Sequence, residues 1–167
     1  HSNDIGVSYL QTEDWYVGDI HLIIGQSLAQ DMSTDGTVTT TDPYFVWNGS
    51  NNVQATTGVG AYEMAKSCIQ GESVACMCIN TAVGGTPLTF KAAGDSNYWA
   101  SDTSDLYSDT IAEVNTATNG ENVISYIYFH QGTRDSINLV TKEEYLRINQ
   151  EGGLSSLLSN LRRDLSS

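Results

Sequence analysis

In the stretch "IIGQSLAQ" (residues 23–30), a strand-like apolar pattern changes to a helical one. Two β-branched residues lead into a glycine, and the residues that follow Ser27 favour a helix. A buried strand that runs directly into a helix is typical of the crossover units of α/β proteins. Ser27 stands at the junction, where a serine either caps the helix or is displayed to react.

Two other apolar runs have the same character as the strand before Ser27. The three runs are "DIHLIIG" (19–25), "SVACMCIN" (73–80) and "NVISYIYFH" (122–130). Their nearly continuous apolarity predicts strands that are covered on both faces, as in a parallel sheet. His21 lies inside the first run, and we expect it to be a packed histidine.

Helical patterns lie between and after these runs, which predicts an α/β fold. They occupy residues 60–72, 104–120 and 141–150, with a leucine stripe from 154 to 165 that predicts a helix packed on the sheet or, alternatively, a partner-binding zipper. Thr141 and Glu144 have the spacing of a capping box. The polar segment 31–58 and the segment 95–105 are predicted to be surface loops.

Composition limits the size and the partners of the protein. The 167 residues fit one domain, 1–167, in which we interpret 1–18 as a lead-in segment. The net charge of −13 argues against nucleic acid and anionic membranes as partners, because phosphate groups are bound by clustered Arg and Lys. No apolar run reaches the roughly 18 residues that a membrane span needs. An extracellular or virion-associated location suits such an acidic chain.

The three cysteines, Cys68, Cys76 and Cys78, do not suggest a disulfide framework. Structural zinc uses four nitrogen or sulfur ligands, so we interpret these thiols as small buried apolar groups. We expect neither a metal nor another cofactor.

Unusual residues follow each predicted strand. Gly25-Gln26-Ser27 follows the first, Gly84-Gly85 the second, and "HQGTRDS" (130–136) the third. Ligands of open α/β sheets bind outside the carboxyl ends of the strands, so these residues are predicted to meet. Acyl transfer needs a nucleophile such as a serine hydroxyl and donors for the oxyanion, which a glycine N–H and a glutamine amide supply. Each feature also has an ordinary interpretation as an N-cap, a turn or a loop residue.

The motifs "GQSLAQ", "AVGGTPL" and "HQGTRDS", in this order, resemble the first three blocks of the SGNH/GDSL hydrolases. They are most similar to the branch of sialate O-acetylesterase-like carbohydrate esterases, and the GQSL variant is similar to esterase domains of phage tail proteins. The resemblance implies a flavodoxin-like three-layer α/β/α fold and removal of acetyl groups from an acetylated glycan. It implies Ser27 as the nucleophile, with the Ser27 N–H, Gly84 or Gly85, and Gln131 as oxyanion donors.

Further residues near these motifs are expected to contact the substrate. They are Gln26, Tyr98, Trp99, His130 and Asp135. Tyr98 and Trp99 lie in the predicted loop 95–105, where aromatic rings are suited to line a sugar site.

The chain also departs from the family pattern. Leu28 replaces a frequent Asn, Thr133 replaces the usual Glu, and Arg134 then precedes Asp135. The catalytic Asp and His of the family lie in a later DxxH block, which these 167 residues do not contain. His130 is an alternative base or a structural residue.

Two accounts of the missing block remain open. Either a further C-terminal segment or another chain supplies the Asp and His, or the domain is a catalytically degenerate carbohydrate-binding or adhesion module. A phosphate or nucleotide binder of similar fold is a third class, for which "VGGTP" is a poor match. The chain is also compatible with a homo-oligomer.

Overall fold

The computed structural model describes residues 18–72, 74–95, 97–121, 123–147 and 152–165. The predicted lead-in segment lies outside the described residues, apart from Gly18, which begins the first strand.

The centre of the protein is a five-stranded mixed sheet with the order β3-β2-β4-β1-β5. The strands are β1 (Gly18–Gly25), β2 (Tyr44–Trp47), β3 (Asn52–Gln54), β4 (Ala75–Asn80) and β5 (Tyr126–His130). β1 pairs in parallel with both β4 and β5, β2 is parallel to β4, and β3 is antiparallel to β2. The three predicted strands therefore form adjacent parallel partners. The expected cover on both faces holds for β1 and β4 but not for β5, an edge strand in which no residue is buried.

The prediction that residues 31–58 form one long loop is wrong. This segment contributes β2 and β3, which form a hairpin at one edge of the sheet. "YFVW" in β2 is made of aromatic and β-branched residues, and it pairs with the buried strand β4. Asn48 closes the hairpin, because its side-chain oxygen accepts hydrogen bonds from the backbone N–H groups of Ser50 and Asn51.

Seven helices accompany the strands within the described residues. They are α1 (Ser27–Asp31), α2 (Val59–Glu72), α3 (Phe90–Ala93), α4 (Asp105–Ala117), α5 (Thr133–Ile137), α6 (Lys142–Leu146) and α7 (Leu154–Leu165). The predicted capping box is present at α6, where Thr141 and Glu144 exchange hydrogen bonds. The last three residues of the predicted helix at 141–150 lie outside the described residues. None of the described helices combines the length and apolarity that crossing a bilayer requires.

Helices cover both faces of the sheet and complete a three-layer α/β/α architecture. Ile20, Leu22 and Ile24 of β1 pack on one face, in a cluster that includes the buried leucines of α7 and apolar residues of α4. His21 and Ile23 point to the other face, because successive side chains of a strand alternate. On that face the core includes small and apolar residues of α2 and Ala29 of α1. The leucine stripe of α7 therefore packs onto the sheet, as predicted.

Candidate active site

The carboxyl ends of β4, β1 and β5 meet at one edge of the sheet. In the parallel registers, Gly25 lies opposite His130, and Ile23 lies opposite Asn80. The chain continues this pairing beyond the strands, since the Val83 N–H donates to the Gly25 carbonyl at 3.0 Å. The three segments that the sequence places at strand ends therefore lie side by side.

Gly25 permits the close approach of β1 and β5 at this edge. Its φ of 132° is in the region that favours glycine, and a Cβ at this position would lie 2.1 Å from the His130 carbonyl oxygen. The next residue uses the same carbonyl, because the Gln26 N–H donates to it at 3.1 Å. The sharp turn before Ser27 thus depends on the missing side chain at Gly25.

Ser27 is the first residue of α1, and it does not cap the helix. The N-cap position belongs to Gln26, whose carbonyl accepts hydrogen bonds from the N–H groups of Ala29 and Gln30. Ser27 is exposed, and no hydrogen bond holds its hydroxyl within the part of the chain that the structure describes. The geometry excludes the capping interpretation and leaves the hydroxyl accessible to a ligand.

The glycine turn after β4 lies directly beside Ser27. A Cβ built on Gly84 would be 3.9 Å from the Ser27 Cβ, whereas one built on Gly85 would meet nothing within 4 Å. The Gly84 N–H donates to the side-chain oxygen of Gln30 at 3.0 Å. Gln30 is exposed and lies one helical turn after Ser27. Of the two glycines, Gly84 is therefore the one next to the serine.

Asp135 is buried and holds the segment 81–89 between β4 and α3, which we call the glycine loop, against the start of α5. Its side chain is 1% exposed. It accepts hydrogen bonds from the Leu88 N–H (2.8 Å), the Thr89 N–H (3.0 Å) and the Thr89 hydroxyl (2.7 Å). The expected direct contact with a substrate does not fit this burial, because the carboxylate oxygens already accept hydrogen bonds from Leu88 and Thr89. The arrangement instead makes Asp135 a residue that positions the loop.

Gln131 takes part in the same anchoring network. Its amide nitrogen donates to the Thr86 carbonyl at 2.6 Å and to Asp135 at 3.3 Å. Its amide oxygen is buried and has no hydrogen-bond partner among the described residues. The NH₂ group of Gln131 thus donates to the glycine loop and to the Asp135 carboxylate, whereas the sequence predicted that it donates to the oxyanion.

Gln26 and the two histidines of the described residues have different environments. Gln26 is 3% exposed, and its side-chain oxygen accepts from the Arg134 N–H at 3.4 Å, so the expected substrate contact is not open to it. His130 is exposed, but no hydrogen bond joins its imidazole to Ser27 in the described parts of the chain. His21 is packed inside, as predicted, and burial lowers the pKa of its imidazole against an opposing effect of Asp19.

The two aromatic residues of the loop 95–105 are placed differently from each other. Trp99 is 1% exposed, and its indole N–H donates to the Thr86 hydroxyl at 2.9 Å. The expectation that it lines a sugar surface is therefore wrong, because the hydrophobic core covers its ring. Tyr98 is half-buried and packs edge-on against exposed Phe90, and it borders a polar cleft of about 600 Å³.

Asn80, which the sequence analysis did not select, holds α1 in place. Its amide nitrogen, at the end of β4, donates to the Ala29 carbonyl at 2.9 Å and to the Ser33 hydroxyl at 2.6 Å. Its amide oxygen accepts from the Ala82 N–H at 3.0 Å. A polar residue at the end of an otherwise apolar strand was the sequence signal for this role.

A cavity of about 400 Å³ opens beside this asparagine, at the ends of β2 and β4. Its lining includes Trp47, Asn48, Asn80 and Glu113, and the Trp47 indole donates a hydrogen bond to Glu113. The cavity offers an aromatic side chain and several polar groups at the same edge of the sheet as Ser27.

A comparison with protein families identifies the chain. The profile of the family described as "Carbohydrate esterase, sialic acid-specific acetylesterase" matches residues 38–167. The chain belongs to this family. The matched segment of the carbohydrate esterase contains Gly84, Gln131 and Asp135, and it begins after Ser27. A search of curated protein sequences gave no match.

Two solved structures share the fold of this carbohydrate esterase chain. One is a protein of Arabidopsis thaliana, with a TM-score of 0.62 and 16% identity, over 89% of this chain and 69% of that protein. The other is described as a carbohydrate acetylesterase from Xanthomonas citri, with a TM-score of 0.56 and 13% identity. That likeness covers 90% of this chain and 40% of the bacterial enzyme. The likeness supports the α/β/α fold, and family membership supports a carbohydrate esterase function.

Proposed function

We propose that this domain is a serine-dependent carbohydrate O-acetylesterase in which Ser27 is the nucleophile. The observation that carries the proposal is an exposed serine that does not cap its helix and lies next to Gly84, at the carboxyl ends of the parallel strands. Ser27 Oγ attacks the acetyl carbonyl of the substrate, and a base accepts the hydroxyl proton. The sugar oxygen leaves with that proton, and water then releases acetate from the serine.

The negative oxygen of the tetrahedral intermediate is stabilised by backbone donors. The Ser27 N–H has no partner in the described residues, since the first helical turn leaves its N–H groups unpaired. The Gly84 N–H is the second donor, and the acyl oxygen replaces the exposed Gln30 side chain that now accepts from it. Gln131 supports this pair by fixing the loop through Thr86 and Asp135 rather than by donating to the oxyanion.

The base and its orienting carboxylate come from outside these 167 residues. Supporting this, the outer edge of β5 has no strand partner in the described residues, and Val123, Tyr126 and Ile127 on and before β5 are 40–51% exposed. An unpaired strand edge with apolar side chains is a surface that further chain or a partner commonly covers. We propose that the covering segment carries a His and an Asp in the DxxH order that the family resemblance implies.

The substrate is an acetylated glycan, and the cavity bordered by Trp47, Asn48 and Glu113 is the site that we propose for a sugar ring. It lies at the same sheet edge as Ser27, and its Trp side chain and polar groups suit a carbohydrate. Association with a virion or the cell exterior stays a prediction.

The test is acetate release from O-acetylated sugars by the protein extended through its natural reading frame. Ser27→Ala should lower the rate by at least about 1000-fold, because the nucleophile is lost. Ser67→Ala on the exposed face of α2 is the matched control and should leave the rate unchanged. Undiminished turnover by Ser27→Ala would contradict the proposed mechanism.

One observation favours a second candidate, a binding module without turnover. No imidazole of the described residues is hydrogen-bonded to Ser27, so those residues contain no assembled base. This alternative predicts that the extended protein binds glycans with an affinity that Ser27→Ala does not change and that it releases no acetate. Measuring binding by calorimetry and acetate release on the same samples separates the two functions.

A further inference from the structure

A second cluster of reactive side chains lies at the opposite, amino-terminal end of β1. Asp19 and His21 point to the same face of the sheet, because they are two residues apart on one strand. Cys76 of β4 lies directly opposite Asp19 in the parallel register. One ligand atom from each of these residues lies within 4.8 Å of the other two.

His21 is the unusual member of the cluster. Its side chain is 2% exposed, and neither ring nitrogen has a hydrogen-bond partner among the described residues. The ring contacts the rings of Tyr126 and Tyr128 on the neighbouring strand, at centroid distances of 5.0 and 5.5 Å. A buried polar group without a partner costs free energy, so native proteins almost always satisfy it. An unpaired ring nitrogen beside a thiol and a carboxylate therefore points to a missing ligand.

We propose that Asp19, His21 and Cys76 bind a zinc ion. Imidazole nitrogen, thiolate sulfur and carboxylate oxygen form a donor set that zinc accepts in tetrahedral geometry. With ligand bonds of about 2.0–2.3 Å, tetrahedral donors are about 3.5 Å apart. Since the donor atoms lie within 4.8 Å of one another, binding the ion requires them to approach by up to about 1.3 Å.

Residues around the three ligands give the zinc ion a path from solvent and a fourth ligand. Asp19 is only half-buried, so its carboxylate connects the buried pair to solvent. The buried Cys68 of α2 belongs to the same core cluster as Cys76, and either its thiolate or a water molecule completes the coordination. The sequence alone favours packed thiols, because no local pattern shows that the register places Cys76 beside Asp19.

The zinc stabilises the fold and does not take part in hydrolysis. His21 is four residues before Gly25, which is roughly 13 Å along the strand. The ion ties the first residues of β1 to β4 at the edge opposite Ser27. Zinc should therefore raise the midpoint of thermal unfolding, and the variant Ser27→Ala should bind the metal as the unmodified protein does.

The experiment uses the reduced, metal-free protein and Co²⁺ as a spectroscopic substitute for zinc. We expect one Co²⁺ per chain, intense visible bands of tetrahedral cobalt and a thiolate-to-metal charge-transfer band, all removed when Zn²⁺ is added. Asp19→Asn, a change at a half-exposed position, should weaken zinc binding by at least about tenfold. Cys76→Ser should abolish the charge-transfer band.

Cys78→Ser is the matched control, because Cys78 is an equally buried thiol two residues along β4 that lies outside the cluster. It should keep the cobalt spectrum. Circular dichroism of each variant verifies that it is folded. The proposal is overturned if the unmodified protein gives no thiolate band, if the band survives in Cys76→Ser, or if Cys68 and Cys76 prove to be joined in a disulfide in the freshly isolated protein.

Discussion

At the scale of single residues, the site depends on glycines, because the absence of a side chain lets backbone segments approach each other closely. Gly25 lets the ends of β1 and β5 approach closely, and Gly84 lies next to Ser27 with its N–H donating to the Gln30 side chain. The sequence indicated that one of two adjacent glycines has this role but did not distinguish them. Only the packing of the turn against α1 separates Gly84 from Gly85.

Substitution of these two glycines tests the distinction. Gly84→Ala places a methyl group 3.9 Å from the Ser27 Cβ and 2.9 Å from the mobile end of Gln30. We expect the chain to fold, since Gly84 has no positive φ, and kcat/KM for acetate release to fall by about 100-fold through misplacement of the acyl group.

Gly85→Ala is the control for that change. Its φ of 77° strains an alanine by about 1 kcal/mol, but the new methyl group meets no atom within 4 Å. We expect lower stability in urea unfolding with most of the activity kept. A greater loss of activity in Gly85→Ala than in Gly84→Ala would mean that Gly85, and not Gly84, is the oxyanion donor.

At the scale of elements, the sequence predicts strands that lie in long apolar runs but not strands of three or four residues. The apolar runs predicted β1, β4 and β5 because each is apolar along both faces, although β5 lies at the side of the sheet and contains no buried residue. β2 and β3 have four and three residues, and β2 forms a strand because β4 offers it a partner. The prediction that Trp99 lines a sugar site fails for a related reason, because the sequence of a loop does not show which aromatic ring the core covers.

Substitution of Asp135 measures how much its hydrogen bonds between α5 and the glycine loop contribute to stability. Asp135→Asn replaces one accepting oxygen by an NH₂ group that faces donors from Leu88, Thr89 or Gln131. We expect the free energy of unfolding to fall by about 2 kcal/mol, because a buried donor is left without an acceptor. Urea denaturation measures this change.

The control for this substitution is Asp109→Asn on the exposed face of α4. It should alter stability by less than about 0.5 kcal/mol. Equal effects of the two substitutions would mean that the buried carboxylate does not hold the glycine loop in place.

At the scale of the whole molecule, the sheet separates two candidate sites of different chemistry. Ser27 and the glycine turn lie at the carboxyl ends of the parallel strands, whereas the His21 cluster lies toward their amino ends. The first site could be predicted from ordered motifs, because each motif follows a strand. The second could not, because it depends on the register between β1 and β4, which no local pattern encodes.

The central claim is that Ser27 is an activated nucleophile, and covalent labelling tests it most directly. The protein extended through its natural reading frame is treated with a fluorophosphonate, digested and analysed by mass spectrometry. We predict one label per chain, located on Ser27, slowed by an acetylated sugar and absent from Ser27→Ala. Failure of Ser27 to react, or labelling of Ser27→Ala at an undiminished rate, would contradict the account.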